Sequence, residues 1–228
     1  FSGILVAGLM VVTGVFGAEA QTATAQSQVE AQDIPVYESL DEAIEAELEG
    51  VDFSDMEGVD DFSICSRSKA SAEQLTAFVR RHNKRFDDEI AKAYLAVGDR
   101  YGVRGDIAFC QAILETGWFR FDRGTKVNES QHNYCGLGVV GNGVKGAAFE
   151  TIEDGVTAHI QHLYAYATTG ALPEGERMVD PRFGAVKRGV ARDWSDLNNR
   201  WAMNSVYGSM ILKIYSDLLK INVCNALK

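Results

Sequence analysis

No lysine or arginine precedes Arg67, and no apolar run reaches the length of a membrane span. The first absence divides the chain. From Ser27 to Phe62 there are thirteen acids and no base, whereas from Ser63 onward 22 basic residues meet 18 acidic ones, a net +4. The formal charge of −10 therefore belongs to one segment and not to the body of the protein. A mildly cationic body suits an anionic, wall-like polymer, but the charge is too weak to argue for nucleic acid. The second absence bears on the N-terminus, where the uncharged run Ile4 to Phe16 falls short of the ~20 residues a span needs. Ala18-Glu19-Ala20 follows, the small-x-small pattern of a signal-peptidase site, which predicts a secretory signal over 1–20 in competition with a membrane anchor. Neither an initiator Met nor a basic region stands before it, as expected of a signal cut short at its start. Three prolines beside 22 glycines exclude a collagen-like chain, and 46% hydrophobic content is enough for a proper core.

The four cysteines, Cys65, Cys110, Cys135 and Cys224, would meet an oxidising compartment if the signal is real, and four allow three pairings. Cys65 and Cys224 bracket the body of the chain and are expected to tie its ends, since domain termini often lie close. Cys110 and Cys135 are expected to be buried thiols.

Residues 21–66 read as an acidic linker. Within it Ser39 and Glu42 form a capping box ahead of Leu40, Ile44, Leu48 and Val51 at near-helical spacing. Such a helix is either transient in solvent or docks on the cationic body and covers its cleft. From residue 67 to 228 the signals become those of one domain. Ser71 and Gln74 make a second capping box before Leu75, Phe78 and Val79. Asp87 opens another helix, with Ile90, Tyr94 and Val97 inward and Gly102 beyond its end. Asp106 begins a third, carrying Ile107, Cys110, Ile113 and Leu114, with Gly117 as its stop. Asn128 to Phe149 breaks the helical period with five glycines from Gly136 to Gly146, and Asn142-Gly143 predicts a hairpin. Thr151 starts a helix with Val156, Ile160 and Leu163 on one stripe, and Tyr207 to Ile221 forms the last, with Ile211, Ile214, Tyr215 and Leu218. The expected fold is mainly α, an α+β domain with a small β-hairpin lobe and no internal repeats.

Glu115, in Gln111-Ala112-Ile113-Leu114-Glu115-Thr116-Gly117-Trp118, is the residue with most chemical content. A carboxylate in a last helical turn meets the negative end of the dipole, and an adjacent indole such as Trp118 would remove water from it. Both effects raise a carboxyl pKa and make a general acid. The alternative is a solvated Glu at a helix end.

Around that residue, Ala112 to Trp118, then Asn133-Tyr134-Cys135-Gly136-Leu137-Gly138, then Gly155 to Leu163 resemble the bacterial glucosaminidase family of peptidoglycan hydrolases, endo-β-N-acetylglucosaminidases. Val179-Asp180-Pro181-Arg182-Phe183, Trp201-Ala202 and Tyr207-Gly208 follow in the family's order, so that the resemblance covers roughly Ser71 to Val223. It implies a lysozyme-like, mainly helical fold that cuts the β-1,4 bond after N-acetylglucosamine in the cell-wall glycan strand, with a secreted, cell-wall or cell-surface location. It also implies Glu115 as the acid and Tyr207 as the family's functional tyrosine, its hydroxyl orienting the substrate's acetamido group or its ring merely anchoring the last helix. Asn133 and Tyr134 match the segment lining the cleft floor, and Trp118 and Trp201 are candidates for stacking on sugar. Many such enzymes carry a second acid in the β-lobe, but Leu137 to Ala148 contains none. Glu129 and Glu150, on either side of the lobe, are the candidate second acids. Otherwise the substrate's own 2-acetamido group attacks, a route that needs one protein carboxylate.

His159 and His162, or His132 with Cys135, have a spacing open to zinc, yet lack the usual two-Cys or His-Glu-x-x-His patterns. No metal is expected. No phosphate loop, dinucleotide fingerprint or nucleophile-elbow Ser occurs, so no cofactor is expected either. The rival activities are a muramidase or lytic transglycosylase of related fold, and a non-catalytic wall-binding module.

Overall fold

A computed structural model of the protein describes residues 61–122, 125–139 and 145–221. The expected signal, most of the acidic linker with its short helix, the Asn142-Gly143 turn and Cys224 with its pairing to Cys65 lie outside the described residues. Five α-helices run through the described part: α1 Ala72–Arg80, α2 Asp88–Tyr101, α3 Gly105–Thr116, α4 Ile152–Ala167 and α5 Tyr207–Leu219. Their starts obey local chemistry. Ser71 and Gln74 close the expected capping box of α1, the Asp87 carboxylate accepts the Glu89 N–H at 3.0 Å, and the Thr151 hydroxyl accepts that of Asp154 at 3.1 Å. Gly102 ends α2 in the left-handed conformation, φ 61°.

Helix α3 is the centre of the domain. From Gly105 to Ile113 every residue is buried, because α2, α4 and α5 pack around it. A helix apolar on all sides has no other stable place. Its crossing with α2 is tight enough that a Cβ on Gly105 would sit 2.1 Å from the Tyr94 carbonyl oxygen, and one on Gly98 would sit 2.8 Å from the Cα of Gly105. Glycine at both positions lets the two backbones touch. Tyr94, Phe109, Phe86, Phe119 and Tyr134 fill the adjoining core as a run of edge-on and tilted rings.

The packed chain starts earlier than the expected boundary at residue 67. Ile64 is fully buried; its N–H donates to the Arg192 carbonyl at 2.8 Å and its carbonyl accepts from Arg104 N–H at 2.9 Å. Acid-rich composition hid this, since one apolar residue paired through its backbone leaves no periodic signal. The expected β-hairpin lobe has its turn outside the described residues. Among the described residues only isolated bridges occur, Ser63 with Asp193 and Asn198 with Ala202. Among the described residues the flanks of the glycine-rich turn are joined by two backbone bonds, Ala147 N–H to the Leu137 carbonyl at 2.8 Å and Phe149 N–H to the Gln131 carbonyl at 2.9 Å. The side chains of Gln131 and Asn133 add further bonds to the Ala147 carbonyl. Cys110 and Cys135 are buried thiols, as expected.

A buried ion pair anchors the start of α3. The Arg104 guanidinium binds both oxygens of Asp106, at 2.8 and 2.9 Å, and donates to the Tyr215 hydroxyl of α5 at 2.7 Å. Asp106 also accepts the N–H groups of Lys69 and Ala70, at 2.8 and 3.2 Å. Burial works to raise the Asp106 carboxyl, but the hydrogen bonds and charge of Arg104 and the two amides outweigh it and hold the group below its ordinary 3.8. Its stabilisation is therefore present above that ordinary value and is lost as pH falls through the lower folded one. Asp106→Asn strands the guanidinium and is expected to cost ~3–5 kcal/mol. Urea unfolding at neutral pH checks the loss, and the same titration at low pH should find native and variant closer together.

Candidate active site

Glu115 sits half-buried in the last turn of α3. The chain then reverses through three consecutive left-handed residues, Gly117 at φ 58°, Trp118 at 63° and Phe119 at 55°. For the two non-glycine residues this conformation costs ~1–2 kcal/mol each. Surrounding bonds hold it. Thr116 Oγ1 donates to the Ala112 carbonyl and accepts the Phe119 N–H, at 2.6 and 2.9 Å. Asn83 Nδ2 donates to the carbonyls of Trp118 and Phe119, at 3.2 and 3.1 Å. The Trp118 indole stacks on His82 at 3.7 Å and packs edge-on to Phe78 at 5.2 Å. Its placement secures the reversal.

What covers Glu115 comes from other elements. The hydroxyl of Tyr207, first residue of α5 and buried, donates to Glu115 Oε1. Behind it runs a chain of buried polar groups. Gln111 Nε2 donates to the Tyr207 hydroxyl at 2.9 Å, His159 Nε2 meets Gln111 Oε1 at 3.1 Å, and the Tyr94 hydroxyl meets His159 Nδ1 at 2.7 Å. Burial, then the charge of His162, lowers the His159 pKa to about 3, so the imidazole is neutral. Since Gln111 Oε1 can only accept, the ring proton lies on Nε2 and the bare Nδ1 accepts from Tyr94. Burial, then the charge of Glu115, pushes the Tyr207 phenol well above its ordinary value, so that hydroxyl keeps its proton. Every donor thus points toward Glu115. Oε1 is occupied as an acceptor. Oε2 faces Gly136, where an added Cβ would lie 3.7 Å away. Gly136 is left-handed at φ 63°, which also favours the absence of a side chain there.

The other expected site residues occupy different levels. Asn133 is fully buried: its Nδ2 donates to the carbonyls of Leu137 and Ala147, at 2.9 Å each, and its Oδ1 accepts the Leu137 N–H at 2.9 Å. Both ends of the amide are spent on the loop's own backbone, so Asn133 shapes the floor beneath Gly136. Tyr134 lies in the core against Tyr94 and Phe119, its hydroxyl 3.2 Å from His132 Nδ1. Trp201 is half-buried, its ring 5.0 Å from that of His162 and 5.5 Å from that of His159. Glu129 and Glu150 are exposed, at the start of a short 3-10 turn and just before the cap of α4. Neither takes part in the chain on Glu115. Both ring nitrogens of His159 are engaged, and Nδ1 of His162 lies 2.7 Å from buried Asp180. Among the described residues no cluster of His, Cys, Asp or Glu is placed to hold a metal ion.

Sequence reading missed Gln111, His159 and Tyr94 as parts of this site. Gln111 carried a usable signal, a polar residue one turn before Glu115 in an otherwise apolar helix. His159 gives the arrangement a pH signature. Unfolded, it takes a proton below the ordinary 6.5; folded, it refuses one down to about 3. Native stability is therefore expected to decline as pH falls through that window. In His159→Asn the drop in urea midpoint between pH 7 and pH 5 should be smaller than in the native protein, even though the variant starts less stable.

The comparisons with known proteins bear on this geometry. The glucosaminidase family, described as mannosyl-glycoprotein endo-beta-N-acetylglucosaminidase, matches residues 91–220, a span that holds Glu115, Tyr207 and the whole buried chain. An uncharacterized protein of Borreliella burgdorferi (strain ATCC 35210 / DSM 4680 / CIP 102532 / B31) is 38% identical over 166 residues, which cover 71% of this chain and 79% of that protein. A buried helix ending in a carboxyl bound by Tyr207, and a family match over more than half of the sequence, agree: the chain belongs to the glucosaminidase family of glycosidases.

Proposed function

We propose that the protein is a peptidoglycan hydrolase that cleaves the β-1,4 bond after N-acetylglucosamine in the cell-wall glycan strand, acting at the wall or cell surface as a secreted protein. The observation that carries this reading is the division of labour within the Glu115 carboxyl, one oxygen bound by Tyr207 and the other beside Gly136. In the first step the proton on Oε2 passes to the glycosidic oxygen as the bond from that oxygen to the anomeric carbon breaks. Electron demand builds on the sugar ring. Tyr207, already donating to Oε1, stabilises the carboxylate that the transfer leaves behind.

The cationic sugar must then be met from its other face. Neither Glu129 nor Glu150 joins the Glu115 and Tyr207 pair, which favours attack by the carbonyl of the substrate's own 2-acetamido group. The resulting ring is opened by water, which gives a proton back to Glu115. Electrons and protons balance with one protein carboxylate.

Digestion of purified peptidoglycan by the full chain tests this, with fragments reduced and read by mass spectrometry. Native protein is expected to release fragments ending in reducing N-acetylglucosamine, and Glu115→Gln to release them ~10²–10⁴-fold more slowly. Fragments ending in reducing or anhydro N-acetylmuramic acid would instead assign a muramidase or a lytic transglycosylase. Tight binding to sacculi with no fragments from either protein would assign a binding module.

A further inference from the structure

Beyond Glu115, the described residues hold a cavity of about 340 Å³ between α4 and the segment leading to α5. Its floor is His162 and Tyr166, and Ala185, Val186 and Val190 make an apolar wall. Arg182, Lys187 and Arg200 line it as well, and all three are exposed. Among the described residues none of these three cations forms an ion pair. Asp180 precedes Arg182 by two residues. It is buried, with one oxygen 2.7 Å from His162 Nδ1 and the other accepting the Arg182 backbone N–H at 2.7 Å. Two of the cations converge on the floor: burial pushes the Tyr166 phenol up, and the charges of Arg182 and Arg200 pull it back.

The cavity is linked to the Glu115 site by one side chain. Trp201 packs on His162 and Tyr166 at the cavity floor, with ring centroids 5.0 and 5.8 Å away. It also joins the small cluster of Cys135, Leu137 and Ala158, and Cys135 precedes the glycine that faces Glu115 Oε2.

We propose that this cavity is a subsite for the carboxylate-bearing peptide stems of the wall glycan, binding the stem beside the sugar whose linkage Glu115 cleaves. The inference rests on the peptidoglycan reading above. A wall stem combines small apolar side chains with free carboxylates, and the lining answers both, with alanine and valine beside guanidinium and ammonium groups that form no ion pair, of which Arg200 donates to the Asp196 carbonyl at 2.8 Å. Bare glycan strands supply neither feature.

The test uses the full chain on two substrates, peptide-bearing glycan strands and the same strands stripped of peptide by an amidase. The triple variant Arg182→Ala, Lys187→Ala, Arg200→Ala is expected to lose about tenfold in kcat/KM on peptide-bearing strands and to match the native protein on stripped ones. Equal loss on both substrates, or loss on neither, overturns the subsite. If native protein cleaves neither substrate, the hydrolase reading fails and co-sedimentation decides the subsite by itself. Tighter binding of peptide-bearing strands that vanishes in the variant supports it, and equal or absent binding overturns it. Inorganic phosphate that abolishes the preference when chloride of the same ionic strength does not would mark a phosphate site, and would also overturn the proposal.

Discussion

Four helices meet around a row of polar side chains that none of them can bury alone. Tyr94 of α2, His159 of α4, Gln111 of α3 and Tyr207 of α5 satisfy one another in sequence and finish on Glu115. Each buried donor or acceptor left without a partner costs ~1–3 kcal/mol, so a partly formed chain is worse than none. The helices are therefore held to one arrangement by polar complementarity inside a core whose rings and aliphatic side chains would tolerate several. The same requirement places a carboxyl at the end of α3 with its two oxygens in unlike surroundings.

That placement needs support from the other direction as well. A helix that ends on a working carboxyl must turn the chain away at once, and three successive left-handed residues do so. Their strain persists because Asn83, Thr116, His82 and the Phe86, Phe109 and Phe119 rings over-determine the turn. At the other end of α3 the Arg104 and Asp106 pair fixes the helix to the segment before α1 and to α5. With both ends tied and Gly105 to Ile113 fully enclosed, α3 has little freedom to move the carboxyl.

Trp201 extends the organisation outward. Packed on His159 and His162, it lies between the polar chain and the cationic cavity. One indole thus packs against His159 of the polar chain and against His162 and Tyr166 of the cavity lining.

The helices and their caps were legible because their signals are local. A capping box at Ser71 and Gln74, a cap at Thr151 and a stop at Gly102 each involve residues within a few positions of one another. Glu115 was legible for the same reason, as an acid between an apolar helix and its glycine stop. Asn133 was read as a ligand for sugar because an amide looks the same whether its partners are substrate or backbone.

The sequence by itself determined where helices begin and end and that one of them delivers a carboxyl, since propensity, capping and periodicity act over a turn or two. Only the tertiary structure decided what that carboxyl meets. Tyr94 and His159 are 65 residues apart, and Glu115 and Tyr207 are 92 apart. Which polar groups find each other across such distances is set by the crossing of α2, α3, α4 and α5, a property of the packed core that no local pattern records.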